Sequence, residues 1–187
     1  NTTGTRNTGI GRASVFTNTT GDDNTGLGYY ALVSATTASD NTAVGSSAME
    51  NTTTGHSNIA VGFEVLKQNT TGSENTAVGY QALTANTTAD NNVAIGRLAL
   101  SANTTGTGNT SIGAATMQVN TTASNNTAVG LSALAVNAAG SGNTAVGAIA
   151  LDANTSGVSN TAVGYASLTA NTTGTLNVAM GVNALAA

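Results

Sequence analysis

The chain has 187 residues, eleven times seventeen, of which four are basic and eight acidic, for a net charge of −4. So weak and negative a balance offers nothing to a polyanion, which sets nucleic acid aside as a partner. Cysteine is absent, which excludes a disulfide framework and thiolate metal sites. No run of 18 apolar residues exists, so no membrane insertion through a helix is expected. The chain begins at Asn1 in mid-repeat, with no basic-then-apolar leader. It is therefore expected to be a processed product or a fragment of something longer.

One unit fills the chain: N-T-A-V-G-x-x-A-L-x-x-N-T-T-G-x-x, counted from Asn7. It predicts one repeat array over 1–187, with a partial repeat at 1–6, full repeats over 7–176 and a partial repeat at 177–187. Position 1 is Asn in every copy, including Asn41, Asn58, Asn75, Asn92, Asn109 and Asn126. These are expected to stack as a buried or half-buried ladder, each amide bonded to the next coil. Position 4 is aliphatic, as in Val44, Val78, Ile95 and Val129. Position 5 is always Gly, as a residue with positive φ or a close backbone approach requires. Position 9 is a second aliphatic, as in Leu83, Leu100, Leu134 and Leu151.

No insertion or deletion interrupts the eleven copies. A stacked coil demands that, because one extra residue would throw every side-chain ladder out of register. Helical repeats run to roughly 33–47 residues, and seventeen cannot hold two helices and their turns. The expected fold is therefore all-β: a parallel β-solenoid (β-roll or β-helix) of eleven coils, with two or three short strands in each. The twelve charged residues and His56 occupy only positions 6, 7, 10, 16 and 17. Those positions are expected to face water, and positions 4 and 9 to form the core. Positions 3 and 8 hold small residues, such as Ala82 and Ala128, and are expected to mark close approach at a corner or to a neighbouring chain.

The units at 75–90 and 160–176 resemble the repeats in the shafts of bacteriophage tail fibres and related surface fibres. More distantly, the N-T-A-V-G core resembles trimeric autotransporter adhesin heads. The resemblance implies a structural or adhesive fibre segment that is extracellular, on a cell surface or on a virion. Its partner would be itself, as a homotrimer or a head-to-tail filament, together with a host or surface receptor. The array opens at position 12 and closes at position 11 without a distinct terminal unit, so end-to-end continuation is expected.

Catalysis needs convergent, tuned groups. The single histidine stands at a corner position and the acidic residues are scattered, so no enzyme, cofactor or metal site is expected. Sequons such as those at Asn18, Asn69, Asn86 and Asn103 come with the N-T-T unit and read as stacked polar ladders. Two features carry functional expectations. Tyr29, Phe63, Tyr80 and Tyr165 all stand at position 6 and are candidate surface contacts. The pairs Thr70-Thr71, Thr87-Thr88 and Thr104-Thr105 stand at positions 13 and 14, where strand alternation would turn one rank outward. An uncharged outward Thr ladder is similar in principle to solenoid antifreeze proteins, so an ice-binding solenoid is the alternative function.

Overall fold

The computed structural model describes residues 1–186; Ala187 lies outside the described residues. Eleven strands of three residues each, β1 (Thr8–Ile10) to β11 (Val178–Met180), form a single sheet in chain order. Every neighbouring pair is parallel and in register at the 17-residue step, as where Thr42 meets Ile59 and Val44 meets Val61. There is no helix among the described residues. The fold is a β-solenoid, one coil per repeat.

Each coil contains one strand, not two or three. Repeat positions 2 to 4 are β-branched or small in all but Leu27 and Met180, and take up extended backbone readily. Position 5 ends the strand: its glycines have φ of 117–141°, a region closed to other residues. The Gly62 carbonyl also lies where a Cβ on Gly45 would go. Beyond that corner the backbone turns left-handed three times per coil. Position 9 shows this in Leu83 and Leu100, both at φ 53°. Position 7 shows it in Gln81 (52°) and position 17 in Glu74 (58°). Such residues cannot continue a strand, and each costs about 1–2 kcal/mol.

Hydrogen bonds along the axis offset that cost. The Thr42 N–H donates to the Asn58 carbonyl of the following coil (2.9 Å), and the Met49 N–H to Val65 (2.9 Å). The Thr53 N–H donates to Thr70 (2.9 Å). The Gly45 N–H runs the other way, to Leu27 of the preceding coil (2.8 Å). Irregular backbone is thus tied to its neighbours as fully as the strand is. Within the coil, the Ala48 N–H closes a turn onto Gly45 (3.5 Å) and the Thr52 N–H one onto Met49 (3.3 Å).

The core differs from the sequence-based expectation at one of its two ranks. Leu83, Leu100, Leu134 and Leu151 at position 9 are fully buried, each side chain contributing roughly 1.5–3 kcal/mol. Position 4 is not interior. Ile95 is 38% exposed, and Val44, Val78 and Val129 are half-buried on the outer face. Strand alternation gives the reason. In a three-residue strand only the middle side chain points inward, and here that is Ala43, Ala77 or Ala128, each 0% exposed. The small residues at positions 3 and 8 therefore mark neither a corner nor a neighbouring chain. They face each other across a narrow interior, as the Ser111 hydroxyl bonded to that of Thr116 (2.8 Å) demonstrates.

Candidate functional site

The interior of the coil has two ends. One is apolar, built from positions 3, 8 and 9. The other is a polar network. At position 1, Asn41, Asn58, Asn75, Asn92, Asn109 and Asn126 are all 0% exposed. The Asn58 Nδ2 donates to Asn41 Oδ1 (3.1 Å), and the Asn58 backbone N–H donates to the same oxygen (3.0 Å). The same pattern links Asn75 to Asn58, and Asn92 to Asn75. A second ladder runs at position 12, where the Asn86 Nδ2 donates to Asn69 Oδ1 (2.9 Å) and Asn103 to Asn86 (3.1 Å). Both ladders converge on one carbonyl per coil. The Gly72 carbonyl accepts from Asn58 (2.9 Å) and from Asn69 (2.8 Å). Joint use of this acceptor had no sequence signal beyond the two Asn spacings.

The second ladder has a gap. Position 12 is Ala35 and then Thr52 in two successive coils. The Asn18 Oδ1 therefore meets no amide above it, and the Thr52 hydroxyl is buried without a partner. These are the two unsatisfied buried side-chain atoms among the described residues.

Outside, the solenoid has charged and uncharged faces. Tyr29, Phe63, Tyr80 and Tyr165 are all exposed on the position-6 rank. They do not form one continuous platform. The Phe63 and Tyr80 rings stack at 5.6 Å, with the Arg97 guanidinium 6.0 Å from the Tyr80 ring. Tyr29 instead meets Tyr30 (4.2 Å between ring centres), with Arg12 over both. Tyr165 stands apart, four smaller or charged residues further along the rank. Arg12, Phe16, Tyr30, Val33 and Glu50 line an open groove at the Tyr29–Tyr30 cluster.

The Thr pairs divide by role. Thr70, Thr87 and Thr104 are half-buried, and each hydroxyl donates to the position-13 carbonyl of the next coil (3.0, 3.2 and 3.1 Å). Thr71, Thr88 and Thr105 are exposed. The outward strand positions behave differently again. The Thr hydroxyls at position 2, such as those of Thr42, Thr76 and Thr127, have no hydrogen-bond partner among the described residues. They stand beside the outward aliphatics of position 4 on the outer face of the sheet.

Titratable groups are few and local. The Lys67 ammonium, 2.6 Å from Glu64, holds that carboxyl below its ordinary range, with help from the Gln81 amide. Burial raises the Asp152 carboxyl above its ordinary range. His56 is exposed, its Nδ1 3.3 Å from the Ser57 hydroxyl. No group of three His, Cys, Asp or Glu side chains converges as a metal site among the described residues. No helix among them is long and apolar enough to cross a membrane. Comparison with protein-family models, with curated proteins and with solved structures finds no match to this chain.

Proposed function

We propose that this chain is a non-catalytic shaft segment of an extracellular, cell-surface or virion fibre. The carrying observation is axial continuity. Backbone, Asn amides and position-13 hydroxyls all bond from one coil to the next, so each coil grips its neighbour on every side. Eleven strands at about 4.8 Å span roughly 50 Å. Such a rod resists bending and keeps whatever it carries at a fixed distance. The shaft associates with further copies of itself, as a homotrimer or a head-to-tail filament, and its exposed aromatic clusters are the surface offered to a host or surface receptor.

Small-angle scattering of the purified chain, with electron microscopy of its concentrated solutions, tests this reading. Rod-like scattering and end-to-end or bundled particles are expected. Compact, strictly monomeric particles at all concentrations count against a fibre role.

A further inference from the structure

The absence of charge from many repeat positions has two causes, and burial accounts for only one of them. Positions 1, 3, 8, 9, 12 and 15 face inward. Positions 2 and 4 face outward, yet in eleven coils they hold only Thr, Ile, Val, Leu and Met. Solvent-facing strand residues tolerate Lys, Glu, Ser or Asn freely, so water alone does not explain this restriction. Nearly all of these side chains are β-branched, with χ1 stiffly set. The in-register parallel pairing repeats an aliphatic group at about 4.8 Å along the sheet, beside a rank of hydroxyls that is unbroken from Thr110 to Thr161 and is interrupted by Ile59 and Val93 nearer the N-terminus.

We propose that this face, with Thr42, Thr76 and Thr127 in one rank and Val44, Val78 and Val129 in the other, binds ice. The assignment goes beyond the shaft role and does not depend on it. Three observations favour a periodic, water-bearing surface over a protein partner. First, the position-2 hydroxyls are unpartnered and available, whereas those of position 13 are spent on the next coil's carbonyls. A dry protein contact would bury the free hydroxyls unsatisfied; an ice surface supplies each with water oxygens and hydrogens. Second, the face holds no aromatic ring or arginine, the usual anchors of protein contacts; those lie on the position-6 rank. Third, roughly 50 Å by 10 Å is on the order of 500 Å², short of the ~800 Å² per partner of a stable protein pair. Oxygen rows at the ice surface repeat at an interval close to the strand spacing, and the aliphatic rank lies against the lattice between them. The position-13 hydroxyls, spent on the next coil, are thereby set aside as ice ligands, and the exposed position-14 rank of Thr71, Thr88 and Thr105 is the comparison face.

Adsorption of the fluorescently labelled chain to a growing ice hemisphere, with inhibition of ice recrystallisation, tests the assignment. The unaltered chain should enter the ice and hold crystals small. Thr76→Lys/Thr127→Lys should abolish both effects at unchanged circular dichroism and melting. Thr88→Lys/Thr105→Lys, on the exposed position-14 rank, should leave both intact. If the Lys pair lowers the melting temperature, Thr76→Ala/Thr127→Ala takes its place, with the same loss expected. Exclusion of the unaltered chain from ice overturns the proposal, and so does equal loss in the two Lys pairs. Sedimentation as an oligomer that Thr76→Lys/Thr127→Lys dissolves into single chains also overturns it, and gives the face to a second copy. The scattering test of the shaft is indifferent to the ice results, whereas an oligomer held by this face would count towards the shaft's self-association.

Discussion

The two ends of the coil interior obey different rules. At the apolar end, substitutions are absorbed. Met49 and Met117 replace Leu at position 9, and Val65 replaces Ala at position 8, and all three remain fully buried. Dispersion and burial depend on volume, so a side chain of similar size serves. At the polar end a missing member is felt in the adjoining coil. Ala35 and Thr52 leave one orphaned oxygen below the gap and another within it. A hydrogen-bond ladder is directional, and each Asn must both donate and accept. Even at the apolar end polar groups enter with a partner: Ser111 and Thr116 share a coil and satisfy one another, and the Ser167 hydroxyl donates to the Gly164 carbonyl.

Mutations at the two ends should differ in cost. The largest effect is expected from Leu100→Asp, which places an unpaired charge in the apolar end and should cost several kcal/mol, on the order of the whole stability of an ordinary domain. Chemical denaturation would read it as loss of the cooperative transition. Asn92→Ala comes next. It removes the bonds to Asn75 and Gly106 and deprives the Asn109 backbone N–H of its acceptor. A loss of about 3 kcal/mol is expected; a loss no greater than that of an exposed Thr→Ala change would mean the ladder is not cooperative.

The gap offers the converse experiment. Ala35→Asn with Thr52→Asn restores an unbroken position-12 ladder and should raise stability by about 1–2 kcal/mol, with each single change giving less than half. Additive or negative effects would show that the two coils have relaxed around the gap. Val129→Asp should cost well under 1 kcal/mol, because that side chain lies on the outer face. A cost near that of Leu100→Asp would return position 4 to the core.

The smallest effect concerns pH. The Asp152 carboxyl is raised in the fold by burial, so its proton is held more tightly there than in the unfolded chain. Its contribution to stability is therefore full below the ordinary carboxylate range and is lost as pH rises through the raised value. Asp152→Asn should flatten that slope in melting curves recorded from acid to neutral pH.

The solenoid was legible because eleven copies keep one step, and only stacking demands that. The inner and outer ranks were half legible. Leu at position 9 is inside, but taking both uncharged aliphatic ranks as core misplaced Val44, Val78, Ile95 and Val129. In so narrow a coil, alternation about Ala decides, and the charge pattern could not separate an inner rank from an uncharged outer one. The left-handed backbone divides in the same way. Asp, Asn and Gly at position 17 signal it. Leu, Gln and Tyr at positions 7 and 9 give no such sign, because tertiary stacking imposes the conformation there.

Contact confined to adjacent coils has a consequence for the gene. A coil meets only the copy before it and the copy after it, through bonds that join residues eighteen apart or less. Seventeen codons are consequently a self-contained unit of insertion or deletion. Recombination between two copies lengthens or shortens the rod by about 4.8 Å per unit without disturbing the reading frame or the register of the remaining coils. The length of such a rod can thus change in discrete steps during replication, with no new interface to be selected.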